Sequence, residues 1–414
     1  MAEAVNTEIV IVGGGIGGLA AALALSQIGR RVMVLEQAEK FAEIGAGIQL
    51  GPNAYKMFHR LGIVEAINAI AAFPDFLMMR DNMSGEMIAQ LPAGEEFRQR
   101  FGYPYGVIHR ADLHGVIFAA CRAAEAIELR THAKVVAIEE NADGIVAVTE
   151  GGLHVSAEAL IGADGIWSMV RERIVGDGAA RISGHIAYRA VLPAADMPKE
   201  LAFNAMCIWA GEKAHLVQYP LRRGEMFNLV AVFHSDKFSE GWNAFGDPEE
   251  LHLRYAEKCQ EVRTLLERIE SWRMWVLCDR EPVRDWFKGR VALLGDAAHP
   301  MLQYLAQGAN MAIEDAVCLA DMLVNEAGDY GRAFRRYRDA RYLRTTRVQL
   351  TARLYGEIYH ASGATRDFRN AELSSWSKED IYRGMSWLYG IDASWRDGER
   401  RAASAAEDSG AAAG

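Results

Sequence analysis

Three short stretches of the chain carry residues whose types and spacing can do chemistry. Gly13-Gly14-Gly15-Ile16-Gly17-Gly18 satisfies the pattern Gly-x-Gly-x-x-Gly directly after the apolar run Ile9 to Val12. In such a turn Gly13 permits the tight bend, Gly15 lets the backbone approach a pyrophosphate, and Gly18 allows close helix–strand packing. The phosphates then meet the N–H groups and positive dipole end of the helix. Glu36, ending the next apolar run, is placed to accept hydrogen bonds from adenosine ribose hydroxyls, and its charge would repel a 2′-phosphate. Far downstream, Gly295-Asp296-Ala297-Ala298-His299-Pro300 follows Val291 to Leu294 and offers a carboxylate suited to ribityl hydroxyls. Two distant segments gripping one extended ligand indicate FAD rather than NAD, and a flavin indicates redox chemistry.

Further segments extend the set. Asp164-Gly165-Ile166-Trp167-Ser168-Met169-Val170-Arg171 fits the pattern D-G-x-x-S-x-x-R after an apolar strand. Arg110-Ala111-Asp112-Leu113 opens a helix and supplies a cation for ribityl or phosphate oxygens. Each has a bland reading too: Asp112 as a helix N-cap, Asp164-Gly165 as a turn, Arg110 as a surface charge. His215 and Tyr219 are four apart in a strand-like run, so they share one face. A histidine inside a strand is more often a satisfied core residue than a base. Arg189 could meet a substrate carboxylate or a nicotinamide nucleotide, or form a sheet-edge ion pair.

The elements that must position these residues alternate in type. Ile9 to Val12, the glycine turn, an Ala/Leu-rich helix and Arg31 to Leu35 form a βαβ half-unit. Strand-like runs over 181–234 suggest a sheet inserted into the nucleotide-binding fold, and the pattern after Asp296 is helical almost to residue 360. The fold class is therefore α/β: a Rossmann-like FAD-binding domain with an inserted β-sheet substrate domain and C-terminal helices. We assign 1–75, 98–180 and 280–345 to the FAD-binding domain and 76–97 with 181–279 to the substrate domain. A C-terminal helical region covers 346–400, and the Ala/Gly/Ser-rich 401–414 reads as a disordered tail.

Composition narrows the partners. A net charge of −10 without a basic block argues against nucleic acid. Cys121, Cys207, Cys259, Cys278 and Cys318 are scattered, with no CxxC pair, so they read as reduced thiols and provide no metal cluster or redox pair. The N-terminal residues lack a basic segment and a long apolar stretch, so a cytoplasmic protein without a membrane span is expected. The basic stretch from Arg335 to Arg347 reads as a solvated face or a subunit contact. Trp376, Trp387, Tyr389 and Trp395 suggest aromatic packing over the body or a homodimer interface.

The ordered set of GxGxxG, DG and GD segments resembles the single-component (class A) flavoprotein aromatic hydroxylases over nearly the whole chain. The resemblance implies tightly bound FAD, reduction by a transiently docked NADH, and O₂ giving a C4a-hydroperoxyflavin that transfers oxygen to a phenol. It implies that Gly15, Glu36, Arg110 and Asp296 contact FAD, with Gln49, Val135 and Asp164 as further cofactor residues. The helix opening at Gln307-Gly308-Ala309-Asn310 would turn its N-terminus to the flavin pyrimidine. His299 would serve the flavin loop, not catalysis.

His215, Tyr219 and Gln303, the last standing where related hydroxylases usually carry Pro, resemble the branch that hydroxylates 3-hydroxybenzoate para to its hydroxyl, giving gentisate. His215 is then the base that makes the phenolate, while Tyr219 and Gln303 orient the ring. Salicylate or 6-hydroxynicotinate hydroxylation remains the alternative within the class, and a non-catalytic flavin-binding protein the alternative outside it.

Overall fold

The computed structural model describes residues 4–390 and 395, except 43, 44, 46, 141–143, 236–243, 325 and 327. The segment 401–414, expected to be a disordered tail, lies outside the described residues.

Strand Ile9–Val12 is buried at every position and lies inside a six-stranded sheet. It pairs in parallel with Val32–Leu35 on one side and Ala159–Gly162 on the other. The sheet continues to Ile127–Arg130 at one end and, through Val291–Leu293, to Phe287–Lys288 at the other. Such continuous apolar runs are what a parallel sheet covered on both faces requires. Helix Ile16–Gln27 follows the glycine turn, and its middle is buried all round. It packs on helix Gly308–Val324 through Gly17, where an added Cβ would lie 2.9 Å from the Leu294 side chain and 3.2 Å from Ala312. The α/β, Rossmann-like class is the observed one.

A second sheet of seven strands carries residues from two stretches of sequence. Its order is Arg273–Asp279, Arg181–Pro193, Met226–His234, Ala214–Leu221, Ala205–Gly211, Phe76–Asp81 and Met87–Pro92. Both of its faces are buried. One packs Leu216, Leu229 and Phe233 against helices Pro248–Tyr255 and Gln260–Glu267. The other packs Tyr219, Val230 and Val232 toward Tyr304, the second half of helix Tyr330–Tyr359 and the C-terminal helix Lys378–Tyr389. A separate two-stranded sheet, Gly47–Leu50 paired antiparallel with Gly106–His109, is tied to the seven-stranded sheet, because the Gly47 N–H donates to the Asn228 side chain at 2.8 Å.

Helix Tyr330–Tyr359 runs unbroken through residue 345, where the sequence suggested a boundary. It also corrects the reading of the basic stretch. Arg338 and Arg341 are buried, with Arg341 at 0% exposure, so this part of the stretch is not a solvated face, whereas Arg335 and Arg347 are exposed. The physical reason is charge compensation from inside helix Gly308–Val324. Arg341 donates to Asp315 at 2.6 Å and to Glu314 at 2.5 Å, and Arg344 donates to both Glu314 oxygens at 2.6 Å.

Candidate active site

Every residue singled out for cofactor or substrate, Gly18 excepted, lines one cavity of about 1100 Å³ running between the two sheets. Gly18 lies behind it, where a Cβ would come within 2.0 Å of the Gly13 carbonyl oxygen. Gly13 has φ +107°, and a Cβ there would meet the Ala163 carbonyl oxygen at 2.4 Å, so both positions admit only glycine. The floor of this end is a cradle of backbone at the start of a helix, the form that a pyrophosphate fits. Glu36 accepts from the N–H groups of Gly14 and Ala38, both at 2.8 Å, which fixes its carboxylate at the end of its strand. Val135 begins the strand Val135–Glu140 on the same rim.

Asp296 lines the same cavity. It alone among residues 291–300 is exposed, because the loop around it is clamped from behind. Arg171, the last residue of the DG segment, donates to the carbonyls of Ala297 at 3.0 Å and Ala298 at 2.6 Å. Asp315 accepts from the Gly295 N–H at 3.1 Å and contacts His299 Nε2 at 2.6 Å. His299 is thus bound into the loop's support. Asp164 holds the start of the helix Met169–Ile174: it accepts from Ser168 at 2.5 Å and from the Val170 N–H at 3.2 Å, and burial raises its pKa despite these bonds. Arg110 is the first residue of helix Arg110–Ala123, and its side chain closes over Gly45. Asp112 is no N-cap; it pairs with Arg222 at 2.9 Å, while His109 caps the helix.

Helix Gly308–Val324 points its N-terminus at the same space, with Ala309 on the cavity wall. The turn before it places Ala306 at φ +52°. Asn310 ties this turn to strand Gly47–Leu50 by donating to the Ala306 carbonyl at 2.8 Å and the Gln49 carbonyl at 3.0 Å. The Gln49 side chain in turn accepts from Tyr105 Oη at 2.5 Å.

The far end of the cavity is lined by His215, Tyr219, Arg189 and Gln303. Strand Ala214–Leu221 presents His215 and Tyr219 on one face, and Tyr219 lies so close to Gly47 that a Cβ there would meet its ring at 2.3 Å. His215 is 2% exposed; burial, with His185 adding to it, pushes its pKa down to about 3, so the imidazole is neutral. Its Nδ1 is 2.7 Å from His360 Nε2, which leaves Nε2 for the cavity. Arg189 lies on an interior strand, so it makes no sheet-edge ion pair. Its guanidinium stacks 4.9 Å over Trp275 and donates to the Gln303 side-chain carbonyl. Burial draws it down to about 10, still a cation, and among the described residues no carboxylate pairs with it.

Several residues on or behind the cavity wall carry no local sequence signal. Tyr304 bonds His185 through its hydroxyl, and His360 comes from the end of a helix remote from His215 in sequence. Trp376 and Trp387 close the cavity, and Trp395 is buried with its indole N–H on Asp321 at 3.0 Å.

Residues 6–347 match the family described as FAD binding domain. Over 93% of the chain the sequence is 45% identical to the 3-hydroxybenzoate 6-hydroxylase 1 of Aquipseudomonas alcaligenes, of which 98% is covered. Among solved structures, a salicylate hydroxylase substrate complex superposes with a TM-score of 0.79 at 28% identity, covering 94% of this chain and 96% of the other. Klebsiella pneumoniae HpxO, complexed with FAD and uric acid, superposes with a TM-score of 0.80 at 26% identity, covering 93% and 97%. The chain that carries this glycine cradle, clamped acidic loop and neutral imidazole along one cavity belongs to the FAD-dependent aromatic monooxygenases, in the family of the 3-hydroxybenzoate 6-hydroxylases.

Proposed function

We propose that the chain hydroxylates 3-hydroxybenzoate at the carbon para to its hydroxyl, giving gentisate, with NADH and O₂ consumed. The observation that carries this reading is His215: a neutral, buried imidazole with one nitrogen held and the other on the cavity, beside a cation and an amide.

The cradle of Gly13 and Gly15, Glu36, Arg110, Asp164 and Asp296 would hold FAD, with Gln49, Val135 and Ala309 along its length. The cavity of about 1100 Å³ exceeds the roughly 300–1,000 Å³ of a single small-molecule site, as a cofactor plus an aromatic acid would require. When bound and reduced, the flavin supplies an electrophilic oxygen from O₂. The chain's residues must orient the ring and raise its electron density. Arg189 takes the substrate carboxylate, held in place by Trp275 and Gln303. With its carbonyl accepting from Arg189, Gln303 offers its Nε2 donors to the ring substituents. Tyr219, its hydroxyl kept protonated by burial, walls one edge.

His215 Nε2 then takes the proton of the 3-hydroxyl. Burial disfavours an isolated imidazolium, but here it forms against the phenolate it creates, so the two charges appear as a pair. The phenolate would drive density to the para carbon, the position at which the flavin-derived oxygen would add and from which a proton would then leave. Such a base contributes about 10²–10⁴-fold.

As a homodimer, the chain would pair through Leu343, Leu350 and Leu354, which are exposed at helical spacing on one face of Tyr330–Tyr359. The five cysteines form no disulfide among the described residues, which suits a reducing, cytoplasmic setting.

A product assay of the yellow protein with NADH, O₂ and 3-hydroxybenzoate tests the reading. Gentisate matching NADH consumed supports it. Product from salicylate or 6-hydroxynicotinate alone would reassign the substrate, and NADH oxidation indifferent to any aromatic acid would reject the hydroxylase reading.

A further inference from the structure

Behind the proposed base lies a cluster of imidazoles to which the proposed reaction gives no proton-transfer role, His360 touching it only through His215 Nδ1. His185 and His234 stand opposite each other on neighbouring strands, with Nε2 atoms 2.6 Å apart and ring centroids 4.0 Å apart. His360, which follows helix Tyr330–Tyr359, brings its ring to 4.7 Å from His185 and 5.5 Å from His234. One nitrogen from each of the three lies within 4.8 Å of the others. His360 is 8% exposed, and its Nδ1 has no hydrogen-bond partner, an expensive state for a buried polar atom. His234 is exposed and gives the cluster a door to solvent.

We propose that His185, His234 and His360 form a site for a divalent ion of the zinc, cobalt and nickel class, and that the bound ion switches off His215 through His360.

The donor set selects the ion. It consists of imidazoles alone; Glu357 is the acid that acts on His234, and Lys213, Arg254 and Lys258 bring positive charge nearby. Hard ions such as Mg²⁺ and Ca²⁺ need several oxygen ligands, whereas Zn²⁺, Co²⁺ and Ni²⁺ bind neutral imidazole directly. Burial lowers the pKa of His185 to about 4 and also lowers those of His234 and His360, so all three keep a lone pair for a metal. Every ligand has a use for its second nitrogen, as metal-bound histidines require. His185 would coordinate through Nε2 and turn an Nδ1–H to the Tyr304 hydroxyl oxygen. His234 would face solvent. His360 would coordinate through Nδ1, because Nε2 is already engaged by His215.

That last contact couples the site to the reaction. Without metal, His215 can donate Nδ1–H to His360 Nε2 and keep the Nε2 lone pair open to the substrate. A metal on His360 Nδ1 leaves the His360 proton on Nε2, from which it must donate to His215 Nδ1. The remaining proton of neutral His215 then sits on Nε2, where the base's lone pair should be. The ion would therefore inhibit without entering the substrate cavity. This half of the proposal rests on the assignment of His215 as base; binding itself does not.

The test uses the FAD-loaded enzyme stripped with chelator and titrated with Zn²⁺ by calorimetry and with Co²⁺ by visible absorption beyond the flavin bands. We expect one ion per chain, binding at least tenfold weaker in His234→Ala, and a cobalt spectrum of few-coordinate nitrogen ligation that the variant lacks. Zinc should reduce wild-type turnover at least tenfold, reversibly with chelator, and leave His234→Ala, active without metal, nearly unaffected. Absence of stoichiometric binding, or equal affinity in wild type and His234→Ala, would overturn the site. Should His234→Ala fail to retain flavin, His234→Gln answers the same question. One ion bound without inhibition would overturn the tautomer coupling, and a His215→Ala enzyme that still hydroxylates would trace that failure to the base assignment.

Discussion

Arg189 donates to the side-chain carbonyl of Gln303 across the end of the cavity, joining strand Arg181–Pro193, second in the seven-stranded sheet, to the turn that precedes helix Gly308–Val324. The bond orients an amide and a cation together, and it leaves the guanidinium Nε buried without a partner. A carboxylate from the ligand would complete the arrangement.

Arg189→Gln should therefore raise the KM for the aromatic acid by roughly 10- to 100-fold, the loss of one charge-assisted hydrogen bond. Steady-state kinetics against 3-hydroxybenzoate and against 3-hydroxybenzamide separate charge from shape. If both ligands lost affinity equally, the arginine would be a packing residue and no carboxylate anchor.

Replacement of the proposed base, His215, has a different signature. His215→Ala should purify with full flavin, bind the aromatic acid, and form gentisate about 10²–10⁴-fold more slowly. Wild-type hydroxylation by that variant would remove His215 from the mechanism.

Asp296 is exposed within a clamped, otherwise buried loop, which suits a ligand contact better than a stability role. Asp296→Ala is expected to keep its melting profile as apoprotein and to lose flavin on gel filtration. A variant that eluted fully yellow would count against the ribityl contact.

The cavity wall formed by the C-terminal helices hangs on a buried carboxylate. Asp81 accepts from Arg366 by two bonds of 2.8 Å, from Asn370 at 2.8 Å and from the N–H groups of Met83 and Ser84. Burial opposes its ionisation, but these donors outweigh it and hold the carboxyl well below the usual range. Asp81→Ala should cost about 3 kcal/mol, expose helix Gly363–Ser375 to proteolysis, and raise KM more than it lowers kcat. Unchanged protease resistance would show that the helices are held elsewhere.

The glycine turn and the acidic loop were the more legible part of the cavity in the sequence. Gly13, Gly18 and Asp296 announce themselves because a tight turn and an acidic loop after a buried strand leave few alternatives for those residue types. His215 and Tyr219 were legible as a pair through strand spacing alone. Arg341 was misread because a run of arginines normally marks a solvated face. Its signal lay in position: Tyr337, Arg341, Thr345 and Val348 follow the apolar period of the helix, and Glu314-Asp315 sit inside another apolar one. Nothing local pointed from His215 to His360, nor from Asp81 to Arg366, because these partners are chosen by how distant elements pack.

The buried histidines also set a pH dependence. His185, His215, His234 and His360 are all held below the usual imidazole value, by burial first and by one another second for His185, His215 and His360. In the unfolded chain they take up protons near pH 6.5, while the folded chain resists until about pH 4 at His185 and about pH 3 at His215. The unfolded state therefore binds more protons in this window, and stability falls as pH drops through it. Above pH 6.5 this contribution is complete. Each fully buried imidazole should lose up to about 1.4 kcal/mol per pH unit. Chemical denaturation of the chelator-treated protein between pH 7.5 and 4.5 measures the slope, and replacing His234, the exposed member, should flatten it least. A stability curve that stayed level until the carboxylates titrate would mean that the cluster is already protonated in the folded chain, and its neutral, lone-pair-bearing state would have to be given up.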